Sequence, residues 1–251
     1  MVVRSPRIPL PTKRGTDIAH RLTVTTYNTY RERTGRDETL DALLTQDGLT
    51  CLQEVSIERA RELRREFGRR VCLSRVMFGW QFLAIILPED ASFVACRTVQ
   101  LNSRFGMVPR DWTLRRAWML RRKQSRAWKD GLIIRAVQVC YIVWRGREFR
   151  LLNTHLPFER GLRDRCLGML PGLVGDGDAL LCGDLNATSS DVHLADLMLE
   201  TGLRPAGDES HTLGRRRIDY VAYTGGFRET EFSLFEGRSD HCGVRVELEV
   251  A

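Results

Sequence analysis

Long apolar runs are absent from this sequence of 251 residues. A membrane-spanning helix needs about 20 consecutive apolar residues, and no stretch approaches that length. The chain starts MVVRSPRIPLPTKRG, with prolines and charges where a secretory signal would carry its apolar core. The sequence therefore predicts a soluble, cytoplasmic protein.

Cysteine pairs of the kind that bind zinc are also missing. There are seven cysteines, an odd number, and none forms a CxxC pair. This count and spacing give no support to a disulfide framework or a zinc site. Cys51, Cys140 and Cys182 lie inside apolar runs, where a thiol behaves as a small buried hydrophobe.

Lysine is scarce, since 36 of the 39 basic residues are arginine. The net charge of +7 is unevenly spread, with +4 on residues 1–21, +8 on residues 104–129 and −5 on the remainder. Concentrated basic charge of this kind is typical of a surface that binds a polyanion. An arginine-rich composition can also leave solvated charge on an exposed face, so both interpretations stay open. We expect residues 1–21 to form a flexible basic arm.

Short apolar runs rich in β-branched residues predict a strand-dominated fold with interspersed helices. Helical spacing is present at 37–48, 56–68, 158–170 and 189–202, and residues 145–147 resemble the turn of a hairpin. The pattern repeats loosely across the two halves of the chain. Several strands are apolar throughout and must be buried on both faces, which favours two central sheets with helices outside. The predicted strands are 22–28, 49–55, 71–76, 81–88, 91–101, 131–144, 148–156, 179–185, 218–223, 229–235 and 244–250.

Polar residues recur where these buried strands begin or end. A lone Glu or His at such a place is more often a solvated strand end or a packing residue. A whole set is different, because each buried polar group would cost free energy unless it had a partner. If the strand ends converge, they form one acid-rich pocket on an apolar scaffold. The set comprises Asn28, Glu54, His155, Asp184, Asn186, Asp219, Asp240 and His241.

These residue types suit one chemistry. Carboxylates and an amide oxygen are hard ligands that favour Mg²⁺ or Mn²⁺ over zinc. Two histidines add acid–base capacity near neutral pH and can contact a phosphate oxygen. Such a set can stabilise the charge that develops on a phosphoryl group attacked by water.

The ordered motifs resemble those of the endonuclease/exonuclease/phosphatase superfamily, whose members include DNase I-like nucleases, inositol polyphosphate 5-phosphatases and sphingomyelinases. The resemblance spans residues 22–250, and the ordered set is far more specific than any one motif. It implies a four-layer α/β sandwich, with two central, mostly antiparallel sheets flanked by helices, and a single catalytic domain over residues 22–251. The matching segments are TYN (26–28), LQEV (52–55), NTHL (153–156), GDLNA (183–187), RIDYV (217–221) and SDH (239–241).

The resemblance also implies a role for each position. Glu54 would be the principal ligand of a Mg²⁺ or Mn²⁺ ion, with Asn28 and Asp240 near the same metal. Among the catalytic residues, His155 would contact the phosphate and Asp184 would orient or deprotonate the attacking water. Asn186 would hold a phosphate oxygen or that water. His241 would be the second catalytic histidine, oriented by Asp219. Either Asp184 or His241 could be the general base. Some nuclease branches place an arginine two residues after the first Asn, whereas here that position is Tyr30 and Arg31 follows it.

Residues 104–129, which are rich in arginine and tryptophan, indicate the class of substrate. Arginine can neutralise backbone phosphates and tryptophan can stack on unpaired bases, so the segment favours a nuclease acting on DNA or RNA. The tryptophans could equally pack this insertion on the body of the protein. The predicted substrate-binding residues are Arg115, Arg116, Trp118, Arg121 and Arg122.

Two other functions fit the same sequence. In one, the basic segment meets an anionic lipid headgroup or membrane surface, and the protein is a phosphatase or phospholipid phosphodiesterase of phosphoinositide or sphingomyelin type. In the other, the chain is an inactive family member that only binds. The second is disfavoured because a competent residue occupies every motif position. No stable protein partner is implied, and we expect a monomer.

Overall fold

The computed structural model describes residues 20–32, 35–76, 81–102 and 135–250. Twelve strands and five α-helices lie in these ranges, and none of those helices is long and apolar enough to cross a membrane. The strands are β1 (His20–Asn28), β2 (Leu49–Val55), β3 (Val71–Val76), β4 (Gln81–Ile86), β5 (Ala91–Gln100), β6 (Ala136–Trp144), β7 (Arg147–His155), β8 (Ala179–Asp184), β9 (Arg204–Pro205), β10 (Asp219–Tyr223), β11 (Phe227–Phe235) and β12 (Gly243–Val250). The helices are α1 (Glu38–Leu44), α2 (Ile57–Phe67), α3 (Arg160–Leu167), α4 (Pro171–Val174) and α5 (Val192–Thr201).

The strands form two six-stranded sheets. The first has the order β11-β12-β1-β2-β4-β3, and the second has the order β5-β6-β7-β8-β10-β9. Each sheet is antiparallel except for one parallel pair, β1 with β2 in the first and β7 with β8 in the second. The predicted hairpin is confirmed, because Trp144 pairs with Arg147 across the turn that joins β6 to β7.

Three large apolar layers form most of the core in the described part of the chain. The central layer lies between the sheets and draws side chains such as Val24 and Val246 from the first and Ile142 and Leu151 from the second. A second layer packs α3, α4 and α5 on the second sheet, and a third packs α1 and α2 on the first. The result is the helix–sheet–sheet–helix sandwich that the sequence predicts. The predicted arm at residues 1–21 lies almost entirely outside the described residues, and the single-domain boundary stays a prediction.

The helix predicted over 56–68 is confirmed, whereas α1 ends at Leu44, before the predicted end at 48, and α5 begins at Val192, three residues after the predicted start. The Asp37 side chain caps α1, the Ser56 hydroxyl accepts a hydrogen bond from Arg59 N at the start of α2, and Gly68 ends that helix with a positive φ. The predicted helix over 158–170 is shorter, since α3 ends at Leu167 and α4 begins at Pro171.

One expectation about cysteine is wrong. Cys140 is not a free thiol, because it forms a disulfide with Cys96. The two residues are direct partners in the β5–β6 ladder. Strand register sets this pairing, and the spacing of cysteines along the chain does not reveal register. Cys51 and Cys182 are free and buried, as predicted.

Asp37 connects the first sheet to the segment that carries Asp240 and His241. One carboxylate oxygen caps α1, and the other accepts hydrogen bonds from the Tyr27 hydroxyl (2.7 Å) and the backbone N–H of Arg238 (3.0 Å). The Tyr27 oxygen in turn accepts a hydrogen bond from the backbone N–H of Ser239 (3.1 Å). A single buried carboxylate therefore fixes the start of a helix and the approach to the last motif.

We predict that Asp37→Ala lowers the free energy of unfolding by ~2–4 kcal/mol. The change removes a helix cap and leaves a buried hydroxyl without its acceptor. Urea denaturation measures the effect. Glu38→Ala, an exposed change in the first turn of the same helix, is the matched control and should cost no more than ~1 kcal/mol. Equal losses in the two variants would contradict this role for Asp37.

Candidate active site

The polar residues at the strand ends meet at one end of the two sheets. The parallel pairs bring Asn28 next to Gln53 in the first sheet and His155 next to Asp184 in the second. Asp219, at the start of antiparallel β10, pairs with Asp184. Because the sheets pack face to face, the strand ends that carry these residues lie against each other. The structure therefore brings several of the predicted strand-end residues into contact.

Asp184 is at the centre of this pocket, and its side chain is almost completely buried. Its Oδ2 atom accepts a hydrogen bond from Asn28 Nδ2 (3.1 Å) and lies 3.4 Å from His155 Nε2 and 3.9 Å from His241 Nε2. Its Oδ1 atom accepts a hydrogen bond from the backbone N–H of Asn186 (3.0 Å). Burial, together with the nearby charge of Asp219, raises the pKa of Asp184 to about 7.

Glu54 projects into the pocket from a residue with a left-handed backbone, at φ 52°. Its Oε2 atom accepts a hydrogen bond from Gln81 Nε2 (2.7 Å) and lies 3.4 Å from Arg31 Nε. Its Oε1 atom lies 3.8 Å from His155 Nδ1. His155 thus separates the carboxylates of Glu54 and Asp184, with one ring nitrogen toward each.

Asp219 and His241 form a tight buried pair. His241 Nδ1 lies 2.8 Å from Asp219 Oδ2, and the backbone N–H of Asp219 donates to the Thr212 hydroxyl oxygen (3.1 Å). Burial by itself would lower the pKa of His241, but the hydrogen bond and charge of Asp219, helped by Asp184, more than offset it. The pKa of His241 is raised to about 9, so the ring is a cation at neutral pH.

His155 has the opposite electrostatic environment. Burial, the positive charge of Arg135 and that of His241 hold the pKa of His155 well below its usual range. The ring is neutral at pH 7, so its contacts with Glu54 and Asp184 are those of an imidazole rather than of an ion pair. The two histidines thus carry different charges because, among the described contacts, only His241 forms a hydrogen bond with a carboxylate, that of Asp219.

Asn186 is held in place from two sides. Its backbone has φ 51°, its Nδ2 donates to Leu156 O (2.9 Å), and its carbonyl oxygen accepts from Arg163 Nη1 of α3 (2.8 Å). Arg163 also forms an ion pair with Asp191 at the start of α5. Two helices on the outer face of the second sheet therefore fix the turn that follows Asp184.

Two parts of the predicted site stay predictions. Asp240 is exposed, with its Oδ1 3.5 Å from the Ser239 hydroxyl, and within the described ranges no hydrogen bond joins it to Glu54 or Asn28. Its place near a metal stays a prediction. The predicted substrate-binding residues Arg115, Arg116, Trp118, Arg121 and Arg122 lie outside the described residues.

Three side chains in the pocket were not predicted as site residues. Gln81 and Arg31 contact Glu54, and Arg135 Nη1 lies 3.4 Å from the carbonyl oxygen of His155. Gln81 stands at the start of a predicted apolar strand, so its position could have indicated it, whereas Arg135 lies inside the strand predicted over 131–144 and directly precedes the observed β6. Arg31 could not be found in this way, because Tyr30, Arg31 and Glu32 all have positive φ and turn it back toward Glu54.

The donor set fits a hard divalent cation. Ligand atoms of Asp184, Asp219 and His241 lie within 4.8 Å of one another, and in the part of the chain that the structure describes Asp219 Oδ1 is buried without a hydrogen-bond donor. A buried carboxylate oxygen that lacks a donor is costly unless a cation approaches it. This cluster can hold a metal ion once His241 gives up its proton, and the Glu54 carboxylate on the other side of His155 is a separate candidate ligand.

Comparison with solved structures identifies the architecture. No family model and no curated protein sequence matches this chain. An endonuclease/exonuclease/phosphatase from Bacteroides vulgatus superposes with a TM-score of 0.68 at 14% identity, covering 92% of this chain and 100% of that one. The chain has the fold of the endonuclease/exonuclease/phosphatase superfamily. This confirms the four-layer sandwich and, at the level of fold, the resemblance carried by the motifs.

Two further structures share this superfamily fold. TDP2 from Danio rerio, complexed with a single-stranded DNA product, has a TM-score of 0.67 at 13% identity, covering 92% of this chain and 99% of that one. A mannosyl-6-phosphatase from Bacteroides thetaiotaomicron has a TM-score of 0.63 at 17% identity, covering 90% and 99%. The same sandwich thus carries proteins whose names indicate different substrates.

We predict that the stability of the metal-free protein falls as pH rises from about 6.5 to 9. Below pH 6.5 His241 is protonated in both the folded and the unfolded chain. Above pH 6.5 the unfolded chain loses that proton first. The stability that protonated His241 contributes to the folded protein is therefore lost as pH rises through its folded pKa of about 9. The slope should approach ~1.4 kcal/mol per pH unit, the value for one proton. Asp184 acts in the same direction at lower pH, since its raised pKa is about 7.

Asp219→Asn tests the assignment, because it removes the anion that raises the pKa of His241. Urea denaturation of both proteins from pH 6 to 9.5, with chelator present, should give a shallower slope for the variant above pH 7.5. Parallel curves for the two proteins would show that Asp219 does not hold the His241 cation.

Proposed function

We propose that this protein is a divalent-metal-dependent phosphoesterase whose substrates are nucleic acids. The observation that carries the proposal is the meeting of Glu54, His155 and His241 around the buried Asp184 carboxylate. A structural core would not keep two carboxylates and two imidazoles together in this way, since each costs free energy to bury. Concentrated, perturbed titratable groups in a cleft are typical of a catalytic centre.

Asp184 is suited to orient and deprotonate water. Hydrogen bonds from Asn28 and Asn186 fix both of its oxygens, and its raised pKa leaves it basic enough to accept a proton near neutral pH. His241 is less suited to be the base, because Asp219 holds it as a cation. Its Nε2 proton would instead stabilise negative charge on a phosphoryl oxygen. Neutral His155 would donate a hydrogen bond to the same group.

Glu54 would be the principal ligand of Mg²⁺ or Mn²⁺, with Asn28 and Asp240 as further predicted ligands. When bound, the ion polarises the phosphoryl oxygen and offsets its charge. Gln81 and Arg31 hold the Glu54 carboxylate in position. Arg31 lies close enough to the Glu54 carboxylate to balance its charge, so a bound cation and Arg31 would both contact this carboxylate.

The basic segment at 104–129 supports a nucleic acid as substrate. Its arginines and tryptophans suit a phosphate backbone with unpaired bases, and TDP2, which shares the fold, was crystallised with a single-stranded DNA product. The alternative is a phosphomonoesterase or a phospholipid phosphodiesterase. The mannosyl-6-phosphatase with the same fold favours the first of these, and the arginine–tryptophan composition suits an anionic membrane surface for the second.

We predict that Glu54→Gln and His241→Gln each lower the turnover number by roughly 10²–10⁴-fold, because each removes charge that acts on the developing transition state. The assay follows cleavage of single- and double-stranded DNA and RNA with Mg²⁺ and with Mn²⁺, beside a phosphoinositide, sphingomyelin and a sugar phosphate. Glu148→Gln is the matched control, since Glu148 is exposed at the other end of the strand that carries His155. It should keep full activity.

The same assay separates the alternatives. Cleavage restricted to the lipid or sugar phosphate would overturn the nucleic-acid assignment but keep the phosphoesterase. Failure of folded protein to cleave any of these substrates with either metal would contradict the proposed activity. Full activity in Glu54→Gln would mean that the metal site is misassigned.

We predict that replacing Arg115, Arg116, Arg121 and Arg122 together by Gln weakens single-stranded DNA binding without slowing hydrolysis of a small phosphodiester. Each arginine that neutralises a phosphate should account for about 0.7 of the slope of log affinity against log salt, so the variant should show a shallower slope. Trp118→Ala should cost a further ~1–3 kcal/mol of binding if the ring stacks on a base. Filter binding over a salt series measures both. An unchanged slope would show that this segment does not bind the substrate.

A further inference from the structure

The backbone that presents Glu54 departs from regular strand pairing. Leu52 pairs with Ala84 and Val55 pairs with Phe82, so Gln53 and Glu54 together lie opposite a single residue of β4. This is a β-bulge, and within it Glu54 has φ 52°, a conformation that is unfavourable for a residue with a Cβ atom. Such a backbone persists only when its surroundings hold it.

Asn153 holds the bulge from the opposite sheet. It is fully buried on β7, and its Nδ2 donates to the two carbonyl oxygens that border the bulge, those of Leu52 (3.2 Å) and Ala84 (3.0 Å). Its Oδ1 accepts a hydrogen bond from the Gln53 side chain (2.8 Å). A single amide from the second sheet thus contacts three groups of the first sheet.

Thr29 holds the bulge from within the first sheet. It directly follows β1 and is buried, and its backbone N–H donates to Gln53 O (3.0 Å). Its hydroxyl lies 3.2 Å from Gln53 O and 3.1 Å from Glu54 O. The carbonyl oxygens of both bulged residues therefore have Thr29 as a partner.

We propose that Asn153 and Thr29 are positioning residues that hold the left-handed bulge and thereby aim the Glu54 carboxylate into the site. This rests on the proposed function, in which Glu54 binds the metal. Successive side chains of a strand point to opposite faces. Relaxation of the bulge to regular pairing would therefore turn Glu54 away from His155.

Two threonines provide matched variants. Thr29→Val is nearly isosteric and removes only the hydroxyl contacts to the bulge, whereas Thr29→Ser keeps the hydroxyl. Thr154→Val is the control on β7, because the buried Thr154 hydroxyl donates to Ala136 O (3.0 Å) within the second sheet. Asn153→Ala removes the contact from the opposite sheet.

The experiment measures Mn²⁺ affinity by electron paramagnetic resonance, kcat and KM, thermal stability, and hydrogen exchange of a peptide covering residues 52–56. We expect Thr29→Val and Asn153→Ala to weaken Mn²⁺ binding at least tenfold, to lower kcat more than they raise KM, and to speed exchange in that peptide. Thr29→Ser should stay near the wild type. Thr154→Val should lose thermal stability while its Mn²⁺ affinity is unchanged.

Several results would overturn the proposal. If Thr29→Val and Asn153→Ala lower only the melting temperature, as Thr154→Val does, the two side chains are ordinary core residues. If wild-type protein binds no Mn²⁺, or Glu54→Gln binds it equally well, the metal assignment fails instead. In that case hydrogen exchange still tests whether Thr29 and Asn153 hold the bulge, because unchanged exchange at residues 52–56 in both variants would mean that neither side chain does. If Asn153→Ala does not fold, Thr29→Val carries the same test.

Discussion

The rest of the structure depends on a short chain of buried amides between the two sheets. Gln53 donates to Asn153 Oδ1 (2.8 Å), and Asn153 donates to Gln138 Oε1 (2.9 Å), all within a largely apolar interface. An apolar interface alone would tolerate small sliding of one sheet on the other, but a buried amide loses its partner if it slides. The amides therefore fix one relative position. This matters because the first sheet carries Glu54, whereas the second carries Asp184.

An internal repeat explains why the site lies where it does. The order β12-β1-β2-β4-β3 in the first sheet matches β6-β7-β8-β10-β9 in the second, including the position of the parallel pair. Glu54 on β2 and Asp184 on β8 therefore occupy equivalent strands. Each needs an irregular backbone beside it. Glu54 has its bulge, and Asp184 follows Gly183, whose φ is 136° and where a Cβ atom would lie 1.9 Å from Thr154 O. A side chain at that glycine would push apart the parallel strands β7 and β8.

The sequence predicted what depends on composition along a strand, and it did not predict what depends on register. Buried strands are continuous apolar runs, and several of the polar residues at their ends are in contact in the structure, as expected. The Cys96–Cys140 disulfide requires knowledge of which residues face each other across a ladder. The contact of Arg31 with Glu54 requires three consecutive residues with positive φ, which nothing in their identities indicates. Local strain is maintained by partners distant in sequence, so it cannot be predicted from local pattern.

Strand pairing also sets the electrostatics of the pocket. Because Asp219 is the ladder partner of Asp184, two carboxylates are forced close together, and burial together with their repulsion favours the protonated form of Asp184. The His241 cation offsets the repulsion between the two carboxylates, since it contacts Asp219 and lies 3.9 Å from Asp184. The same cation disfavours a second positive charge on His155, which stays neutral. One acid pair imposed by the ladder therefore leads to a carboxyl group with a raised pKa, a cation and a neutral imidazole close together, and these are the groups that the proposed hydrolysis of a phosphoester by water would use.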